Sequence, residues 1–161
     1  MDEIRFKPIG VVHTKATVEQ IREGRFEGES VIELYPEFVD GLDGLEGFSH
    51  IFVLGYFNML RPEQIGPLKV KPRGLLRYGF TLDELPTVGV FALDSPTRPN
   101  PIALSLVRLV RIEQNRLTVV DLDLFDGTPV LDIKPYQASY HLESYGVPAW
   151  HKRLLQRVKR V

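Results

Sequence analysis

Three prolines within six residues, Pro96, Pro99 and Pro101, constrain this chain more than any other feature. Each fixes its own φ and has no N–H to give to a hydrogen-bond ladder. Each also pushes the residue before it (Ser95, Arg98, Asn100) towards extended backbone. The segment Asp94-Ser95-Pro96-Thr97-Arg98-Pro99-Asn100-Pro101 is therefore neither helix nor central strand. Little conformational entropy is left in it to lose. It presents Ser, Thr, Arg and Asn rigidly after the apolar run 88–93, as the grip on a small polar ligand requires. A stiff connector whose polar groups face water has the same pattern.

The remaining signals are mostly those of strands. Residues 4–12 predict a first strand ending at His13-Thr14, and 31–35 a second, stopped by Pro36. Residues 51–57, apolar on both faces, predict a buried central strand, and 88–93 another. The runs 102–112 and 116–124, joined by Glu113-Gln114-Asn115, predict a β-hairpin. Asp126-Gly127 marks a turn and 130–136 a last strand. Residues 15–30 are polar and predict a long loop or short helix; 41–47, with three glycines, a turn or short helix. Residues 60–87 form a long excursion rich in Pro, Gly, Lys and Arg, and such excursions tend to be functional. Trp150, Leu154, Leu155, Val158 and Val161 recur at helical spacing, with Lys152, Arg153 and Arg157 between them. The expectation is a mainly β protein: a single antiparallel β-barrel-like domain over 1–140, with short peripheral helices. A basic amphipathic C-terminal helix within 141–161 packs on it.

Composition removes several functions. The absence of cysteine excludes disulfides, thiolate nucleophiles and cysteine metal sites and fits a cytoplasmic protein. The four histidines form no close ligand pair, so no metal is expected. No apolar run is long enough to span a membrane, and Met1-Asp2-Glu3-Ile4-Arg5 lacks the pattern of a signal peptide. A net charge of −1 gives no overall pull towards polyanions, so a nucleic acid must be met by a local basic patch. In 130–136, alternation puts Asp132, Lys134 and Tyr136 on one face, with Leu131 and Ile133 turned into the core. That polar face suits either an exposed edge or a pocket in which the Lys keeps the Asp ionised.

Three segments, taken together, resemble one family. They are Gly44-Leu45-Glu46-Gly47-Phe48-Ser49-His50-Ile51, then Val88-Gly89-Val90-Phe91-Ala92 through Arg98-Pro99-Asn100-Pro101-Ile102, then Asp126-Gly127-Thr128-Pro129-Val130-Leu131-Asp132-Ile133-Lys134-Pro135-Tyr136. The chain is similar to the TsaA-like family, whose characterised members are TrmO-type tRNA methyltransferases, over roughly residues 4–138. The resemblance implies a β-barrel, S-adenosyl-L-methionine as cofactor and a homodimer with the cofactor near its interface. It implies methylation of N6 of threonylcarbamoyl-adenosine beside a tRNA anticodon. By position, cofactor contacts fall at Asn58, Met59 and Leu104, and at Asp126, Gly127, Thr128 and Pro129. Arg98 and Asn100 shape the same pocket, and Asp94 stands where a cofactor-contacting Arg is common. The absence of a Gly-x-Gly-x-x-Gly pattern agrees with a cofactor site unlike the Rossmann type.

The mechanism this implies needs a place for the N6 proton, for which Asp132 or Asp126 is the acceptor with Lys134 tuning the charge. Tyr136 or Phe57 offers a stacking surface for a splayed-out base, and Lys71, Arg73, Arg153 and Arg157 are candidate phosphate contacts. The chain departs from its relatives at Leu93-Asp94 (commonly Thr-Arg), at Asn58 (His) and at Ala103 (Gly). The Pro-Arg-Gln of relatives is not recognisable in 15–30. These departures leave two alternatives: a non-catalytic module of the same fold that binds S-adenosylmethionine or an adenine nucleotide, and a methyltransferase for another substrate.

Overall fold

A computed structural model describes residues 3–24 and 26–158. Its strands are β1 (Gly10–His13), β2 (Glu29–Leu34), β3 (His50–Tyr56), β4 (Lys69–Val70), β5 (Val88–Gly89), β6 (Ile102–Glu113), β7 (Arg116–Val120) and β8 (Pro129–Pro135). Six of them close a barrel in the order β1-β2-β7-β6-β3-β8, every neighbour antiparallel, and β4 and β5 pair separately. Closure leaves no barrel edge open to another chain's strand. Alternate residues point inward, and Val12, Ile32, Ile51, Val107, Leu117 and Val130 are fully buried there.

The hairpin forms as its pattern predicts, tightened to a two-residue turn at Gln114-Asn115 with Gln114 at φ 57°. Asn115 ties that turn to β2, its side-chain amide donating to the Leu34 carbonyl at 2.8 Å. Three expected strands are shorter. Residues 4–9 pair with no strand; the first ladder begins at Gly10. β5 ends at Gly89, because Val90–Ala92 turn as a 3-10 helix that buries Val90 and leaves Phe91 81% exposed. β7 stops at Val120, where Asp121 adopts φ 67°, and Leu122 and Leu124 fill the core from a loop. In 15–30 a short helix α1 (Val18–Glu23) starts at a capping box: Thr17 accepts from the Gln20 N–H, and the Gln20 side chain from the Thr17 N–H.

The face assignment on β8 needs a correction. Ile133 points into the barrel opposite Val53, and Asp132 lies outward opposite Leu54, as alternation requires. The register then shifts between Leu54 and Gly55, so that Gly55 faces Val130. A bulge of this kind inserts an unpaired residue and reverses the alternation beyond it. Val130 therefore takes the inward position and Leu131 turns out of the core, into a surface groove.

Arg157 fastens the tail helix α2 (Ala149–Val158) to the excursion before the proline loop. Arg157 pairs with Glu84 at 2.7 Å, donates to the Gly79 carbonyl at 3.0 Å and lies 4.2 Å over the Phe80 ring. Leu155, expected in the apolar stripe, is exposed, while Trp150, Leu154 and Val158 are half-buried. Lys159, Arg160 and Val161 lie outside the described residues. The Thr81 N–H, then Arg157 and the Thr81 hydroxyl, lower the Glu84 carboxyl from 4.5 to about 2. A depressed carboxylate contributes its stabilisation in full above 4.5 and loses it as pH falls towards 2. Acidification through that window is expected to loosen α2, reported by the fluorescence of Trp150, the single tryptophan. Glu84→Gln should abolish that acid step.

Candidate functional site

Two of the signature segments, the proline loop through Ile102 and residues 126–130, meet at one end of the barrel, whereas the third, 44–51, enters β3 at the opposite end. Where the two meet, the end of β3, the start of β6 and the start of β8 lie side by side, because the rigid proline loop is tied to β3. The Pro101 carbonyl accepts the Phe57 N–H at 2.9 Å. Asn58, just beyond β3, donates its side-chain amide to the Gly127 carbonyl at 3.4 Å. Gly127 has φ 77°, which a turn glycine adopts without strain. A Cβ on Gly55 would lie 2.9 Å from Leu124 Cδ1 and 3.3 Å from Thr128 Cγ2, so only glycine lets β3 approach this loop so closely.

These segments floor a groove of about 700 Å³, within the size range of small-molecule sites. Tyr56, Asn100, Ile102, Pro129 and Leu131 contribute to the floor, and Ile4 and Phe6 form a wall. No charged side chain lines it. Asn100 supplies its one amide, and apolar rings and prolines do the rest.

The predicted site residues do not all enter this groove. Asn100 and Pro129 line it, and Asn58, Met59 and Gly127 lie at its end of the barrel. Thr128 is buried beneath. Asp126 turns the other way: one carboxylate oxygen accepts the Thr14 N–H at 2.9 Å, and its side chain lines a second cleft of about 540 Å³ with His13, Lys15 and Phe26. Arg98 turns back on its own loop and donates to the carbonyls of Leu93 at 2.7 Å and Val90 at 3.3 Å. It locks the proline loop onto the preceding turn. Asp94 is exposed.

A second arrangement covers the outer face of β6, β3 and β8. Leu104, Leu54 and Asp132 form one row across the strands, and Leu106, Phe52 and Lys134 the next. The Lys134 ammonium lies 2.9 Å from Asp132 Oδ2, while Asp132 Oδ1 accepts the Ile133 N–H. The hydrogen bond that Lys134 donates to Asp132, and the carboxylate's charge, raise the Lys134 pKa above the usual lysine value. Tyr136 packs in a ring cluster, with its centroid 5.7 Å from Phe52 and 6.0 Å from Tyr140. Of the predicted phosphate contacts, Lys71 donates to the Leu82 carbonyl at 2.6 Å and Arg157 holds α2, whereas Arg73 and Arg153 are exposed. Among the described residues no acidic or histidine cluster could hold a metal ion, and no helix is long and apolar enough to cross a membrane.

Sequence reasoning missed Ile4 and Phe6 as groove wall, and Phe52 and Tyr140 as partners of Tyr136. The available signal was the alternation of Ile4, Phe6 and Pro8, the last without an N–H to give to a ladder.

Barrel and groove together define a small-ligand-binding module built on a closed antiparallel barrel. The chain belongs to the family of the tRNA-methyltransferase O N-terminal domain, whose model matches residues 13–141. A Methanothermobacter thermautotrophicus protein described as a probable S-adenosyl-L-methionine-binding protein is 42% identical over 137 residues, 83% of this chain and 90% of that protein. An Archaeoglobus fulgidus S-adenosyl-L-methionine-binding protein is 41% identical over 133 residues, 81% of this chain and 87% of its own length. A crystal structure of TrmO superposes with a TM-score of 0.67 at 31% identity, over 90% of this chain and 64% of that one. The chain thus spans less than two thirds of the solved TrmO chain.

Proposed function

We propose that this protein is an S-adenosylmethionine-dependent methyltransferase that acts, as a homodimer, on N6 of threonylcarbamoyl-adenosine beside the anticodon of tRNA. The observation that carries this reading is the convergence of 99–102, 127–131 and the end of β3 on one uncharged groove, in a chain of the tRNA-methyltransferase O family. The residues fit the cofactor: apolar and aromatic walls suit a purine, Asn100 offers an amide, and the Asn58–Gly127 contact and the exposed Asp94 offer polar partners nearby. When bound, the cofactor supplies a methyl group on a sulfonium centre.

The protein's own residues do the rest. Asn100 and the backbone of 127–129 orient the cofactor, so that proximity replaces a bimolecular encounter. Asp132 takes up the N6 proton at its carboxylate, and the adjacent Lys134 ammonium stabilises that carboxylate while it is charged. The rings of Tyr136, Phe52 and Tyr140 give an unstacked base a surface to rest on. Arg73 and Arg153, unlike Lys71 and Arg157, are left to meet phosphates. The exposed apolar row on β6 supports self-association.

One observation favours a non-catalytic cofactor-binding module instead: Arg98 spends hydrogen bonds on its own loop, and Asp94 stands where relatives commonly carry a second Arg. Mass spectrometry of tRNA nucleosides with and without the gene decides between them; loss of the methylated nucleoside supports the enzyme, and an unchanged profile the module. Calorimetry tests the cofactor directly. Asn100→Ala should weaken S-adenosylmethionine binding by several-fold to about tenfold, the worth of one buried hydrogen bond, whereas Asp126→Ala, whose carboxylate faces the second cleft, should change it little. No heat of binding to the natural chain overturns the cofactor assignment.

A further inference from the structure

Residues 3–9 run along the barrel without joining a ladder, yet two ties hold the segment. The Lys7 ammonium lies 5.4 Å over the Phe38 ring and 3.8 Å from Glu37. Ile9 donates its N–H to the Val130 carbonyl at 2.8 Å, and its own carbonyl accepts from Tyr35 at 2.9 Å. Beyond these ties, Ile4, Phe6 and Pro8 line the groove. Ile4 is 79% and Phe6 66% exposed. Apolar side chains held open at the mouth of an apolar groove become buried only when the groove is filled.

We infer that Phe6, with Ile4, is a ligand-binding residue that no motif marks, its ring covering the purine half of bound S-adenosylmethionine. This rests on the cofactor reading given above. The lining selects that half of the molecule. It carries no charge, it holds the two rings of Phe6 and Tyr56, and its Asn100 amide has both the donor and the acceptor that a purine edge requires. The sulfonium and the zwitterionic end are costly to bury without charged or polar partners, so they lie outside the groove. The N-terminal segment is thus a wall whose two anchors, Lys7 and Ile9, keep Phe6 over the purine.

Two readouts test this. S-Adenosylmethionine should slow tryptic cleavage of the Arg5–Phe6 bond, which stands alone in this stretch because Pro8 makes the bond after Lys7 a poor trypsin site. Phe6→Ala should weaken S-adenosylmethionine and adenosine alike by about tenfold, the loss expected when one base–aromatic contact is truncated. Phe6→Trp should restore both. Phe6 is largely exposed, so the substitution leaves the barrel core intact. Cofactor affinity that falls in Asn100→Ala but is unchanged in Phe6→Ala, with the same cleavage rate with and without cofactor, overturns this assignment alone. A natural chain that binds neither compound overturns the cofactor reading and this assignment with it.

Discussion

An Asp132→Asn chain is expected to bind S-adenosylmethionine as tightly as the natural chain and to methylate tRNA at least about a hundredfold more slowly. The size follows from what a positioned acid–base group contributes, typically 10²–10⁴ in rate. Asparagine keeps an oxygen to accept the Ile133 N–H and nearly the same volume, so the local backbone has no reason to move. It loses the charge that holds Lys134 at 2.9 Å and the site that takes the proton. Single-turnover methylation of tRNA lacking the modification, alongside calorimetry of the cofactor, measures the two effects separately. A natural rate in Asp132→Asn would remove Asp132 from the mechanism and turn attention to Asp126, which accepts the Thr14 N–H through one oxygen, Oδ1.

The second large effect is on assembly. Leu104 and Leu106 stand outward on β6, 67% and 46% exposed, beside half-buried Leu54 and Phe52. Water is a poor neighbour for such a row, and a second copy related by a two-fold axis would cover it with its own equivalent. Leu106→Arg should therefore convert a dimer into a monomer at micromolar concentration, read by light scattering. A two-fold interface meets each substitution twice, so two uncompensated charges enter it and the dimer constant should weaken on the order of a thousandfold. Leu106 faces solvent in the single subunit, so the melting of the isolated barrel should change little. A natural chain that is monomeric with and without cofactor would contradict the dimer.

Much of the fold was legible before any coordinates. The hairpin of 102–124 announced itself by two apolar runs around a polar turn, and the structure pairs Glu113 with Arg116 across it. The proline loop could be nothing else, since φ restriction and the missing N–H act within a residue or its neighbour. The run 51–57, read as apolar on both faces, does form a strand of the barrel and sends Ile51 and Val53 into the core, while Phe52 and Leu54 stand half-buried on its outer face. The candidate site was legible in part: the motif residues at 99–102 and 126–129 do converge, but Arg98 and Asp126, both assigned to one pocket, point elsewhere.

What failed shares a cause. Ile4–Ile9 has the composition of a strand, but the β1–β8 ladder stops at Gly10 opposite Val130, and Pro8 just before it has no N–H with which to extend the pairing. Leu131 has the parity of a core residue, and only the register shift against β3 turns it into the groove. Arg157 has the look of a phosphate contact, and only a carboxylate 73 residues away shows it to be a clasp. Turn chemistry, periodicity and backbone restriction are properties of neighbouring residues, so the sequence alone determined the strands, the rigid loop and the family signature. Which strand closes the barrel, where its register slips and which charge meets which are long-range pairings. Their free energy depends on surfaces assembled from distant segments, and only the tertiary structure decides them.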